Sequence, residues 1–188
     1  MSGRYYYLVA SLPHLRLGAA PRLTTGQFLS RCAAQVSAAH YRILAGVERF
    51  QVQPTRTGLA LLDRWYDHER ALRNALVIER AKRLGVTAAG HLRDFRPDPR
   101  LAEIARQLLA LDSPLAADEE LDRARWRFLE ELAFGHYFDL ETLVVYRLKL
   151  RILERRACFD PTVGAALLDR MLAHGAERGR ESFTRSGN

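Results

Sequence analysis

Lysine, cysteine and long apolar runs are what this chain has least of. Only Cys32 and Cys158 are cysteines; they lie far apart and have no CxxC partner. That excludes a disulfide framework, a CxxC zinc site and a thioredoxin-like motif, and both thiols are expected to be free and buried in a reducing compartment. No run of about 18 apolar residues exists, so no segment reads as a membrane span. The opening "RYYYLVASLPHL", residues 4–15, has a charge and a short apolar stretch, but Ser11 interrupts it and Pro13 stops it. It therefore fails as an export signal and is expected to stay on the mature protein. Catalytic signatures are missing too. There is no GxSxG, GxGxxG or GxxxxGK[ST], and none of the six histidines lies three or four positions from another or three after a glutamate. Helical zinc pairs and di-iron Glu-x-x-His elements are thus excluded, and neither a cofactor, a metal nor catalysis is expected.

What is present is arginine. The 29 basic residues include only two lysines, Lys82 and Lys149, and the net charge is +7. It is unevenly spread: +6 over residues 1–57, +3 over 58–97, −4 over 98–138 and +2 over 139–188. A basic first half and an acidic insert imply different faces for different partners. An Arg-for-Lys and Ala/Leu-rich bias also reflects the base composition of a genome, so no stable nucleic-acid partner is expected.

Helical periodicity runs through nearly the whole chain, which predicts an all-α bundle of about six to eight helices. Thr24 and Thr25 are caps for "GQFLSRCAAQVS", and Tyr41, Leu44, Val47 and Phe50 share a face in the next segment. Residues 58–84 form the longest pattern, with Leu62, Trp65, Leu72 and Leu76 at helical intervals and Gly85 as the stop. "RPDP", residues 96–99, is the clearest internal boundary of a single domain over 1–175. Asp98-Pro99, Ser113-Pro114 and Asp160-Pro161 then each start a helix, and residues 176–188 read as a mobile polar tail. In "DLETLVVYRLKLRILERRA" the alternation of Arg147, Lys149 and Arg151 with Leu148, Leu150 and Ile152 has a strand's period. The run from Leu140 to Ala157 has no turn residue and follows the capping type Asp139, so a helix is expected.

Two patterns look like binding surfaces. Arg147, Arg151 and Arg155, at i, i+4 and i+8, form a basic stripe that is a solvated face, a docking edge for an acidic partner or, if internal, the counterpart of the acidic segment around Glu119, Glu120, Glu130 and Glu131. In "ERALRNAL", Asn74 sits mid-helix beside Arg70 and Arg73, and is expected to hydrogen-bond across to another helix or to serve an interface. "DRWYDHER", residues 63–70, gathers Asp63, Asp67, His68 and Glu69, but each acid has a base at helical spacing. A solvated, salt-bridged face is the expectation there.

Three stretches, "YYYLVASLP", "WYDHERALRNALVIERAKRLG" and "YRLKLRILERRACFDPTVG", together resemble a bacterial family encoded beside V/A-type rotary ATP synthase genes. That family is similar to a short, divergent form of the central-stalk socket protein of V-type ATPases, which is all-helical and joins the rotating shaft to the proteolipid ring. Known socket proteins have three related helical domains, whereas this chain is far shorter, so the resemblance does not imply the complete socket geometry. The resemblance implies a non-catalytic component or assembly partner of the ATPase. Its partners would be stalk and membrane-ring subunits, and it would sit in the cytoplasm at the inner face of the membrane. A helical adaptor unrelated to the ATPase and a basic nucleic-acid-binding protein are the alternatives. The three tyrosines are expected to start a first helix whose rings pack on the long helix of residues 58–84.

Overall fold

The computed structural model describes residues 5–47, 56–93 and 97–158. These form seven α-helices and one short 3-10 turn, with no strand among them: α1 Tyr6–Ser11, α2 Thr25–Ala33, α3 Ala38–Gly46, α4 Ala60–Leu84, α5 Pro99–Ala110, α6 Pro114–Ala133 and α7 Leu140–Ala157. The all-α expectation holds, with α4 as the long helix, about 37 Å at 1.5 Å per residue.

Local chemistry sets most helix starts. Thr24 makes a capping box with Gln27, while Ser37, Asp98, Ser113 and Asp139 each accept a backbone N–H from the first turn they precede. Pro99 and Pro114 open α5 and α6, where a missing N–H costs nothing. Gly85, at φ 67°, ends α4 with Val86 N–H donating to the Ala81 carbonyl at 3.0 Å.

Two cores hold the bundle. The larger is centred on α7, whose Leu143, Val144, Leu148, Leu150, Ile152 and Leu153 are all buried. Leucines 148, 150 and isoleucine 152 look like a strand's alternation because α7 is enclosed on nearly every side, leaving little of it to show a polar face. α2 and α3 lie against α7, as does α6. The N-terminal half of α4 adds Leu61, Leu62, Trp65 and Tyr66 to this core. Its second half packs on α5 around a smaller cluster of Ala71, Leu72, Ala75, Leu101 and Ala105. The long helix thus joins both cores, as does α6, whose Leu121 packs on the smaller one.

The first helix departs from expectation. Only Tyr5 is buried, and its hydroxyl bonds His40 of α3 while its N–H donates to the Phe138 carbonyl at 3.0 Å. Tyr6 is half-exposed and lies against Phe138, 4.7 Å between ring centres. A six-residue helix presents one narrow apolar face, which Leu8 takes into the core, so successive tyrosines must diverge. The chain after α1 is strapped down by Tyr146 of α7, which donates to the Pro13 carbonyl at 2.9 Å. Cysteine also splits: Cys32 is buried as expected, whereas Cys158 is exposed at the end of α7. Phe50, the helix opened by Asp160-Pro161 and the tail lie outside the described residues, as does part of the 96–99 boundary.

Candidate functional site

The charged residues singled out from the sequence are not gathered on one outer face. Arg147 is only 3% exposed and its Nε donates to the Leu44 carbonyl of α3 at 2.7 Å. Arg155 turns toward α6, donating to Asp118 and, at 2.9 Å, to Asp122. Arg151 is half-buried between them. The expectation of a basic stripe free to dock is therefore corrected. On a helix enclosed by α2, α3 and α6, residues four apart meet different neighbours, and an arginine stem lets two of the three heads reach inward.

The Arg155 head belongs to a network that the sequence reading missed. Glu69 of α4 and Arg125 of α6 form a two-point pair, Nε to Oε1 at 2.7 Å and Nη2 to Oε2 at 3.1 Å. Arg125 also reaches Asp122 at 3.4 Å, and Asp122 passes the chain to Arg155. Glu69, Arg125 and Asp122 are all buried. Arg73 stands 3.8 Å from Glu69, the i,i+4 pairing expected of them, while Arg70 pairs with Asp67 at 3.3 Å. The face of "DRWYDHER" is thus not simply solvated. Asp67 is exposed enough to fit that description, but Glu69 points into the bundle. The signal was available: Glu69 falls between Trp65 and Leu72 on the apolar stripe of α4, and Asp122 and Arg125 lie on the stripe continued by Leu129 and Leu132. Opposite charges at stripe positions of two helices mark an interhelical pair.

Asn74 does cross to another segment, though not to a helix. Its Nδ2 donates to the Arg93 carbonyl at 2.7 Å and its Oδ1 accepts the Arg93 N–H at 3.2 Å. This two-point clasp fixes the chain that leaves the 3-10 turn at Ala89–His91. Next to Glu69, the His68 ring stacks on Phe128 of α6 at 3.7 Å and 8°. Burial holds its pKa down from 6.5 to about 4, although the Glu69 carboxylate pulls the other way. The imidazole is accordingly neutral at pH 7. One end of the ring borders an open groove of about 700 Å³ between α4 and the start of α5, where Asp67 bonds Arg56 and Arg70.

A third feature lies at the other end of α6. His136, Asp139 and Glu141 bring potential metal-ligand atoms within 4.8 Å of one another. Asp139 is already committed there: Oδ1 accepts from the Thr142 N–H and hydroxyl at 3.0 and 2.8 Å, and Oδ2 meets His136 Nδ1 at 2.6 Å. These bonds secure the tight turn at Gly135, φ 84°, between α6 and α7. The same turn carries Phe134 and Tyr137, both exposed, and its Phe138 lies against Tyr6 of α1. None of these aromatics was singled out as an outward-facing group, since a sequence does not say which rings a short helix leaves outside.

Among known proteins, a family described as a protein of unknown function (DUF2764) is similar to residues 93–175, less than half of the chain and including α5, α6 and α7. No curated protein and no solved structure matches.

Proposed function

We propose that the protein is a non-catalytic component or assembly partner of a V/A-type rotary ATPase, related to the helical socket of the central stalk and acting where that stalk meets the membrane ring. One observation carries the reading. The three stretches that resemble the ATPase-associated family are widely separated in sequence, yet α1, α4 and α7, which they supply, share one core through Leu8, Trp65 and Leu148. The resemblance therefore extends over a folded unit and not over scattered words. The buried pairs between α4, α6 and α7 also suit a part that transmits torque, because fixed charge pairs resist sliding of one helix past another. No helix among the described residues is long and apolar enough to cross a membrane, so attachment in this reading runs through protein partners.

Affinity purification of the tagged protein from native membranes, with bound proteins identified, tests this directly. Stalk and proteolipid subunits in near-stoichiometric yield are the expected result. Their absence, together with normal ATPase assembly in a strain lacking the protein, refutes it. The exposed aromatic groups favour a second reading, a helical adaptor whose partner is not the ATPase. In that case the same purification returns a different, equally stoichiometric protein.

A further inference from the structure

Where this chain uses a cation it places arginine, at all but two of its 29 basic positions. The two lysines stand in different settings. Lys82 is 65% exposed, with its Nζ 2.7 Å from Glu79. Lys149 of α7 is only 17% exposed, and its Nζ lies 4.7 Å from the centre of the buried Trp126 ring of α6. Its contact with a carboxylate is long: Glu130 Oε1 is 3.5 Å away and already accepts the Trp126 Nε1–H at 2.8 Å. Burial holds the Lys149 amine below the usual lysine range, by more than Glu130 raises it. An arginine here would keep its charge and stack well on the Trp126 ring. A lysine differs in that it can lose its proton and become a nucleophile.

The same side chain forms part of the wall of a cavity of about 290 Å³, open to solvent, between the chain around α1 and the α6–α7 pair. Val9, Leu12, Leu15, Ala133 and Val145 make that wall mainly apolar. Its two hydroxyl groups are engaged, Tyr146 with the Pro13 carbonyl and Thr142 with Asp139. Trp126, Glu130 and Ala133 are spaced i, i+4 and i+7, so the groups that Lys149 touches and the cavity wall share one face of α6. A partly desolvated amine therefore borders an apolar space with room for a short aliphatic chain.

We infer that Lys149 is a covalent modification site that takes a short aliphatic acyl group from a thioester, the acyl chain coming to rest in the cavity. The unprotonated amine attacks the thioester carbonyl. An N–C bond forms, the C–S bond breaks with its electron pair going to sulfur, and the proton lost by nitrogen leaves with the thiolate as a thiol. Nothing is oxidised or reduced. The product suits the site better than the ammonium does: it has no charge to desolvate, its N–H still has Glu130 as an acceptor, and its stem keeps the Trp126 contact. An aldehyde would form only an imine, which water at an open cavity hydrolyses. Exposed His14 is on the same wall, but an acyl-imidazole is hydrolysed in the same way. The inference is independent of whether the protein belongs to a rotary ATPase.

The test treats the full chain with S-butyryl-N-acetylcysteamine, a small neutral thioester, at low conversion and neutral pH. Peptide mass spectrometry reads acylation at Lys149 and Lys82 from the same samples, so exposed Lys82 is the internal control. Lys149 is expected to react at least about threefold faster although it is the more buried, because a lowered amine pKa raises the free-base fraction in proportion. In urea the two rates should converge. Chain length reads the cavity separately. Relative to Lys82, Lys149 should favour the butyryl over the acetyl thioester, and Ala133→Leu, which narrows the cavity, should remove that preference. Equal or slower reaction at Lys149 in the native chain, or a ratio that persists in urea, overturns the inference. So does a Lys149 that shows no chain-length preference, or a preference that Ala133→Leu leaves intact. The rate ratio, the urea control and the chain-length comparison are all read on the native chain, so they decide the matter even where the variant does not fold.

Discussion

Replacing Arg125 with Met is the most informative perturbation of the interior. In the native protein its guanidinium meets both Glu69 oxygens, at 2.7 and 3.1 Å, and touches Asp122 at 3.4 Å. After substitution Glu69 still has Arg73, 3.8 Å away, and Asp122 still has Arg155. Removing one partner of a buried pair typically costs about 3–5 kcal/mol, because the remaining charge stays desolvated. Against an ordinary total of about 5–15 kcal/mol that is a large fraction. At about 2–4 °C per kcal/mol for a domain of this size, the melting midpoint should fall by about 6–20 °C. The charge argument makes a second, sharper claim. Adding Glu69→Leu removes the stranded carboxylate, so the double variant should recover to within about 1–2 kcal/mol of the native protein. Urea unfolding followed by circular dichroism measures both. A single variant that loses less than about 1 kcal/mol refutes the assigned role of the pair. A double variant that loses the sum of its two singles refutes the charge-stranding account and leaves packing as the cause.

Three further outcomes follow from side-chain placement. Tyr5→Ala should cost about 3 kcal/mol or more in urea unfolding, since its ring is buried and its hydroxyl bonds His40, whereas half-exposed Tyr6→Ala should cost clearly less; the reverse order would mean α1 is placed wrongly. His68 binds a proton less readily folded, near pH 4, than unfolded, near 6.5, so its contribution is nil above about pH 6.5 and increasingly destabilising as the pH falls toward 4, up to about 3 kcal/mol. His68→Phe should flatten that part of the stability profile, and an unchanged slope would deny the histidine its role. In native protein a disulfide-exchange reagent should label exposed Cys158 rapidly and Cys32 only on unfolding, because burial lifts the Cys32 thiol to about 11; two equally fast thiols would contradict its burial.

How much of this was legible in the sequence depends on the range of the interaction involved. Helix ends were readable because a cap acts on the three residues that follow it: Asp98-Pro99, Ser113-Pro114, Asp139 and Gly85 each settle a local backbone geometry whatever the rest of the chain does. The interior pairs were not, because each joins residues far apart. Glu69 and Arg125 are 56 positions apart, and each has a closer candidate of opposite charge on its own helix, Arg73 and Asp122. Local spacing names those nearer partners correctly but cannot tell that the carboxylate is desolvated. The basic stripe failed for a related reason. Spacing of i, i+4 and i+8 places Arg147, Arg151 and Arg155 along one line of α7, but whether that line faces water depends on how many helices surround it. Here α3 takes the first arginine and α6 the third. Exposed aromatic rings are found instead on the short α1 and the α6–α7 turn. There too few residues exist for a period to show, and Phe134 and Tyr137 could only be found by folding the rest around them.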